Sequence, residues 1–271
     1  MTENTNPLQK YYRQASIYIK LPSGGKYYAR EDFTPTETGE IPIFPMTAKD
    51  EITFKTPDAM INGQATVDVI KSCVPNLHDP WKMVNYDTDA VLLAIRIATF
   101  GETMDITYSV PEILEQQTNT VNLPALLEDL GKVEIKDETV TSKGFKVTIQ
   151  PLDYKTLTKI QIARFEQQKM YSTIAAANLT GDQKQTAFNK SYETLNQVNF
   201  SLLLDSIKEL TTPDGDKVTD KKQIIDFVNN ADTKTITEIQ DKLSELRLQA
   251  QIPPLKIKAT DDQIKRGVPA T

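Results

Sequence analysis

Asp87-Thr88-Asp89-Ala90-Val91-Leu92-Leu93-Ala94-Ile95-Arg96-Ile97-Ala98-Thr99-Phe100-Gly101 is apolar on almost every side. A helix without a polar stripe has to lie in a core, so the spacing predicts a buried helix over residues 88–100. Asp87 to Asp89 supply a cap, and Gly101 supplies the stop. Short alternating runs flank this helix. Ile17-Tyr18-Ile19-Lys20-Leu21 reads as a strand, and Pro22-Ser23-Gly24-Gly25 as a turn, because glycine reaches positive φ at little cost. Lys26-Tyr27-Tyr28 is then expected to return as a strand. Glu40 to Pro45 carries two prolines, which suit an edge or extended segment.

After the helix, strands are expected near residues 105–108 and 145–149, the latter pairing with Glu134-Ile135. Residues 112–124 read as a polar loop with a helical turn. Thr47 and Thr56-Pro57 mark helix starts, and Ala65 to Ser72 has helical spacing.

The second half changes period. Leu157, Ile160, Phe165, Tyr171 and Ile174 recur at helical spacing, Gly181-Asp182 breaks the run, and Phe188 to Ile207 resumes it up to Leu210. Two long helices with a short turn form an antiparallel hairpin. Asp214-Gly215 is a turn, Asp220 and Asp232 or Thr233 begin two further helices, and Leu255 to Lys258 reads as a short strand. The expected class is α+β: a small mixed β/α domain, then a mainly helical C-terminal half built on a long αα-hairpin. The expected divisions are a flexible arm over 1–16, the mixed domain over 17–152, the helical region over 153–252, and a strand and tail over 253–271.

Composition narrows the chemistry. The chain has 271 residues with a net charge of −6. That balance does not favour nucleic acid, whose phosphates need clustered Lys and Arg. No apolar run reaches the ~20 residues of a membrane span, and the first ten residues lack the order of a signal peptide. Cys73 is the single cysteine and His78 the single histidine. An intrachain disulfide and a two-histidine metal site are therefore excluded. Cys73 reads as a buried thiol and His78 as a packed loop residue. Ser23-Gly24-Gly25-Lys26 lacks the length and the following Ser or Thr of a phosphate loop. Carboxylates are many but none is distinguished, so no catalytic residue, cofactor or metal is expected, and the chain is read as a non-enzyme.

One succession of blocks is more specific. It runs Leu21-Pro22-Ser23-Gly24-Gly25-Lys26-Tyr27-Tyr28, then Glu37 to Glu51, Thr56-Pro57-Asp58-Ala59-Met60-Ile61-Asn62-Gly63, Val69 to Pro75, Asp79-Pro80-Trp81, and Asp89 to Ala98. In this order it resembles the baseplate protein family of T-even-like bacteriophages, which holds a hub component and a hub assembly chaperone. The resemblance covers residues 17 to 110 and, more weakly, the helical remainder.

It implies protein–protein binding to other baseplate hub proteins, in the host cytoplasm during assembly or in the virion baseplate. The readings it leaves open are an assembly factor, a permanent structural subunit and, least favoured, a tail-associated hydrolase. Many members carry a Cys-Pro-x-Cys pair after the core helix and a second pair near the C-terminus, which implies four thiolate zinc ligands. Here those places hold Val110 and Ile113, and Ala259 and Asp262. All four cysteines are absent together, so the expectation is no structural zinc. Gly24 and Gly25, Pro45 and Trp81 stand out as structural or interaction residues: a turn, an extended entry to the Thr47 helix, and an apolar anchor that can cover the core helix.

Overall fold

The computed structural model describes residues 6–57, 61–110, 115–132, 138–176, 180–249 and 261–266. It is a mixed α+β structure, as the periodicities require. Strands β1 (Ile17–Lys20) and β2 (Glu40–Ile43) form a two-stranded antiparallel sheet in which Tyr18 faces Pro42. Lys26 to Tyr28 does not come back as a strand. The Tyr28 hydroxyl is drawn instead to a buried carboxylate, and the return strand waits until Glu40.

Helix α1 (Ala48–Phe54) opens with a complete capping box. Thr47 caps Asp50, and Asp50 answers in the place usually held by Glu or Gln. Helix α2 (Gln64–Cys73) follows, and then α3 (Asn85–Phe100), the core helix. It starts three residues before the expected 88. Asp87 lies in its first turn, fully buried, and is not its cap. Ile41, Ile43, Ile70, Met83, Val91 and Ile95 close the first core between the small sheet, α2 and α3.

The expected strand at 105–108 is the middle of β3 (Thr103–Val110), and the stretch expected to be a loop over 112–124 is none from residue 115 on; 112–114 lie outside the described residues. Glu115 to Asn122 form β4, paired with β3 along its full length. The apolar alternation that signals a strand is missing because this ribbon packs mainly on itself and much of it faces solvent. Polar pairs take its place: Thr107 to Thr118 at 3.0 Å and Thr120 to Asp105 at 2.6 Å. Helix α4 (Leu123–Gly131) then starts on an Asn122 cap and packs along α3.

The second core lies on a four-stranded antiparallel sheet: β5 (Glu138–Ser142), β6 (Phe145–Ile149), β7 (Ile207–Thr211) and β8 (Lys217–Val218), in that order. The 145–149 strand pairs with β5 and β7; its expected partner, Glu134-Ile135, lies outside the described residues. Helices α5 (Tyr154–Ala176) and α6 (Gly181–Ser206) make the expected hairpin. The second helix ends earlier than Leu210. Ser206, fully buried, bonds Leu203 O, and the chain leaves as β7. Ile207 and Leu210 are three apart, a helical spacing, and the strand buries both because its pairing with β6 shifts register opposite Thr148 and Ile149.

Helices α7 (Lys221–Asn230) and α8 (Thr233–Gln249) cover the sheet with Ile224, Val228, Ile239 and Leu243. A short α9 (Asp261–Lys265) is the last described element. The strand expected at 255–258 lies outside the described residues. The sheet joins β6 to β7 across the expected boundary between 152 and 153.

Candidate functional site

Two polar nodes tie the first core together and an aromatic third node links it to the helical hairpin; the residues singled out in the sequence fall around them. The first is Asp87. It accepts hydrogen bonds from Ser23 N at 2.8 Å, from Ser23 Oγ and from the Tyr28 hydroxyl at 2.7 Å. Burial pushes its carboxyl above the usual range, while the Ser23 bonds pull the other way. Burial, and then the charge of Asp87, raise Tyr28 as well. Gly24 and Gly25 lie between these two donors with φ of 62° and 78°, so their left-handed turn folds Ser23 and Tyr28 onto one carboxylate. The helical period could have exposed this node. Asp87 sits four and eight residues before Val91 and Ile95, so it shares their buried face.

The second node is Arg13, which sequence reasoning missed. It falls inside the segment expected to be a loose arm, yet its guanidinium is well held. Nη1 donates to Pro45 O at 2.6 Å and to Asp50 Oδ2 at 3.2 Å; Nη2 donates to Ser72 O and Ser72 Oγ at 2.7 and 2.8 Å. Asp50 feels burial upward, but the bonds from Thr47, Ser72 and Arg13 outweigh it and hold its pKa low. Pro45 therefore contributes a carbonyl to this clamp as well as extended backbone. Cys73 sits beside it, fully buried, its thiol pushed up to about 11 by desolvation against the opposing pull of Arg13. Such a thiol is inert as a nucleophile.

The third node is Trp81. It stacks on Tyr154 at the start of α5, with ring centroids 5.7 Å apart. Its edge lies where a Cβ on Gly63 would point, next to Thr158. It thus joins the first core to the helical hairpin. Tyr154 N donates to Met83 O at 2.6 Å in the same place.

Nothing in these nodes arranges a reaction. The His78 ring bonds the Thr34 hydroxyl at 2.8 Å on the surface. Among the described residues there is no group of three His, Cys, Asp or Glu side chains placed to hold a metal. Of the places matched to family cysteines, Val110 ends β3 as a buried residue and Asp262 is exposed in α9; 113 and 259 lie outside the described residues. Among the described residues no helix is long and apolar enough to cross a membrane.

What the surface does offer is a cleft of about 650 Å³ between β1 and α4. All four β1 residues border it, with Ala90 and Ile97 of α3 beneath and Leu127 of α4 opposite. A second cavity of about 570 Å³ runs on past Lys20 and Pro22 to the Gly24-Gly25 turn.

The model of the T4 bacteriophage base plate protein family matches residues 14–258, most of the chain. The chain belongs to this family. The base plate match takes in both cores, the ribbon and the helical hairpin, well beyond the blocks between 17 and 110 that first carried the resemblance. No curated protein and no solved structure matches the chain.

Proposed function

We propose that this base plate protein is an assembly factor, or a component, of the baseplate hub of a contractile tail, and that it acts by protein–protein binding. The observation that carries the reading is the family match over residues 14–258. The form of the molecule supports it. Its conspicuous polar groups are consumed in structural nodes, whereas the helical hairpin leaves Phe165, Met170 and Tyr192 exposed. Large apolar side chains left exposed on one element are what a binding surface requires. The chain works in the host cytoplasm during assembly, where it meets the other hub proteins.

The test is co-expression of the full chain with each baseplate hub protein of the same phage, followed by size-exclusion chromatography with mass measurement. A stoichiometric complex with at least one hub protein is expected. Failure with every one of them would overturn the reading. Mass spectrometry of purified virions then separates the two forms of the proposal, since an assembly factor is absent from them and a component is present.

A further inference from the structure

The geometry points to the outer edge of β1 as a docking strand for an extended segment of another baseplate protein, a segment acidic at the end that meets Lys20 and Lys26. This rests on the reading of the chain as a hub-binding protein. In an antiparallel pair, opposed residues alternate between those that exchange hydrogen bonds and those that do not. Tyr18 faces Pro42, which has no N–H, so this is a non-bonded pair. The next pair of the same parity is Lys20 with Glu40. The N–H and C=O groups of Tyr18 and Lys20 therefore point away from β2.

They point into the 650 Å³ cleft. Successive side chains of a strand alternate between faces, so a cavity bordered by four consecutive strand residues meets the strand along its backbone edge. No residue of β2 borders it. The two edges of this small sheet are also unlike. Proline is a common guard against strand addition, and Pro42 guards β2; β1 carries no proline, and its one charged residue, Lys20, stands at the end of the strand. Tyr18 is 62% exposed on it. The cleft floor of Ala90 and Ile97 suits apolar side chains at alternate positions of an added strand.

Charge selects the occupant. Lys20 borders both cavities and Lys26 borders the second. Neither has an ion-pair partner among the described residues, whereas Lys132 nearby is already paired with Glu128 and Asp129. Two unpaired cations at the glycine-turn end call for carboxylates on the incoming segment.

The experiment is amide hydrogen exchange on the full chain, free and in complex with the hub protein that co-expression identifies. The Tyr18 and Lys20 amides are expected to slow by about a hundredfold or more on binding. Tyr18→Pro removes an outward N–H and spares the bonds to β2, so it should leave the thermal midpoint close to that of the parent and weaken binding about tenfold or more. Lys20→Glu, a surface change that leaves the backbone alone, should weaken it in the same direction. If no complex forms, the hub-binding reading falls and this proposal falls with it. If a complex forms while the β1 amides exchange as fast as in the free chain and both variants bind like the parent, only the docking strand is overturned. Protection in the free chain also overturns it. If that protection rises with protein concentration, the occupant is a second copy; if it does not, the occupant is a segment of the same chain.

Discussion

Gly24 and Gly25 stand side by side in left-handed backbone, but their surroundings differ. A Cβ on Gly24 would meet nothing within 4 Å, whereas one on Gly25 would come within 2.9 Å of the Phe33 ring. Gly24→Ala should therefore cost only the backbone penalty, about 1–2 kcal/mol. Gly25→Ala adds a clash inside the first core and should cost about 1–3 kcal/mol more. Equal losses in urea unfolding would show that Phe33 moves aside freely. Asp89 offers a second test at this scale. Burial raises its pKa from 3.8 to about 6. Between those values the folded chain keeps a proton that the unfolded chain has shed. Stability consequently declines as pH rises through that window and stays lower above it. Asp89→Asn should stabilise the protein by about 1–2 kcal/mol near pH 7.5 and by nothing measurable near pH 3.5. A gain that persists in acid would assign the effect to packing.

Elements were readable from the chain wherever one of their faces is dry. The α3 core helix, the α5–α6 hairpin and the caps at Thr47 and Asp220 all follow from period and capping chemistry. Strand β4 was hidden because Glu115 to Asn122 is almost wholly polar and pairs with β3 through hydroxyls, carboxylates and amides. Strand β7 was hidden because Ile207 and Leu210 keep a helical spacing, which the strand accommodates by a register shift against β6. The candidate site was less legible still. Gly24, Gly25, Pro45 and Trp81 could be picked from local chemistry, but the Arg13 that Pro45 meets, the Asp87 that the glycine turn serves and the Tyr154 under Trp81 are all distant in sequence. Trp81 shows the consequence. It was expected to cover the core helix, and its ring stacks on Tyr154 of another element. Trp81→Ala should cost about 2–4 kcal/mol, less than a fully buried tryptophan because the ring is half-buried. Amide exchange should accelerate first in the opening turns of α5. Acceleration confined to α2 and α3 would mean that the ring serves its own core alone.

Across the whole molecule the two cores are built from largely separate stretches, one mainly from residues 17–98 and the other from 140–243. They meet where Trp81, Met83 and Val84 face Asp153, Tyr154 and Thr158. A junction of this kind, with a few aromatic and backbone contacts, resembles an interface between domains more than a shared core. For a protein that docks on neighbours, such a joint lets each core present its own surface: the β1 cleft on one, the exposed hairpin on the other. The energetic consequence is measurable. Ile43 and Leu203 are fully buried in the first and second core. Truncating either to alanine should cost about 2–5 kcal/mol in its own core. Scanning calorimetry of the full chain should resolve two transitions, with Ile43→Ala lowering one midpoint and Leu203→Ala the other, and Trp81→Ala drawing the two further apart. A single transition that both truncations lower equally would mean that the Trp81 stack and the backbone contacts of Met83 and Val84 bind the cores into one cooperative unit.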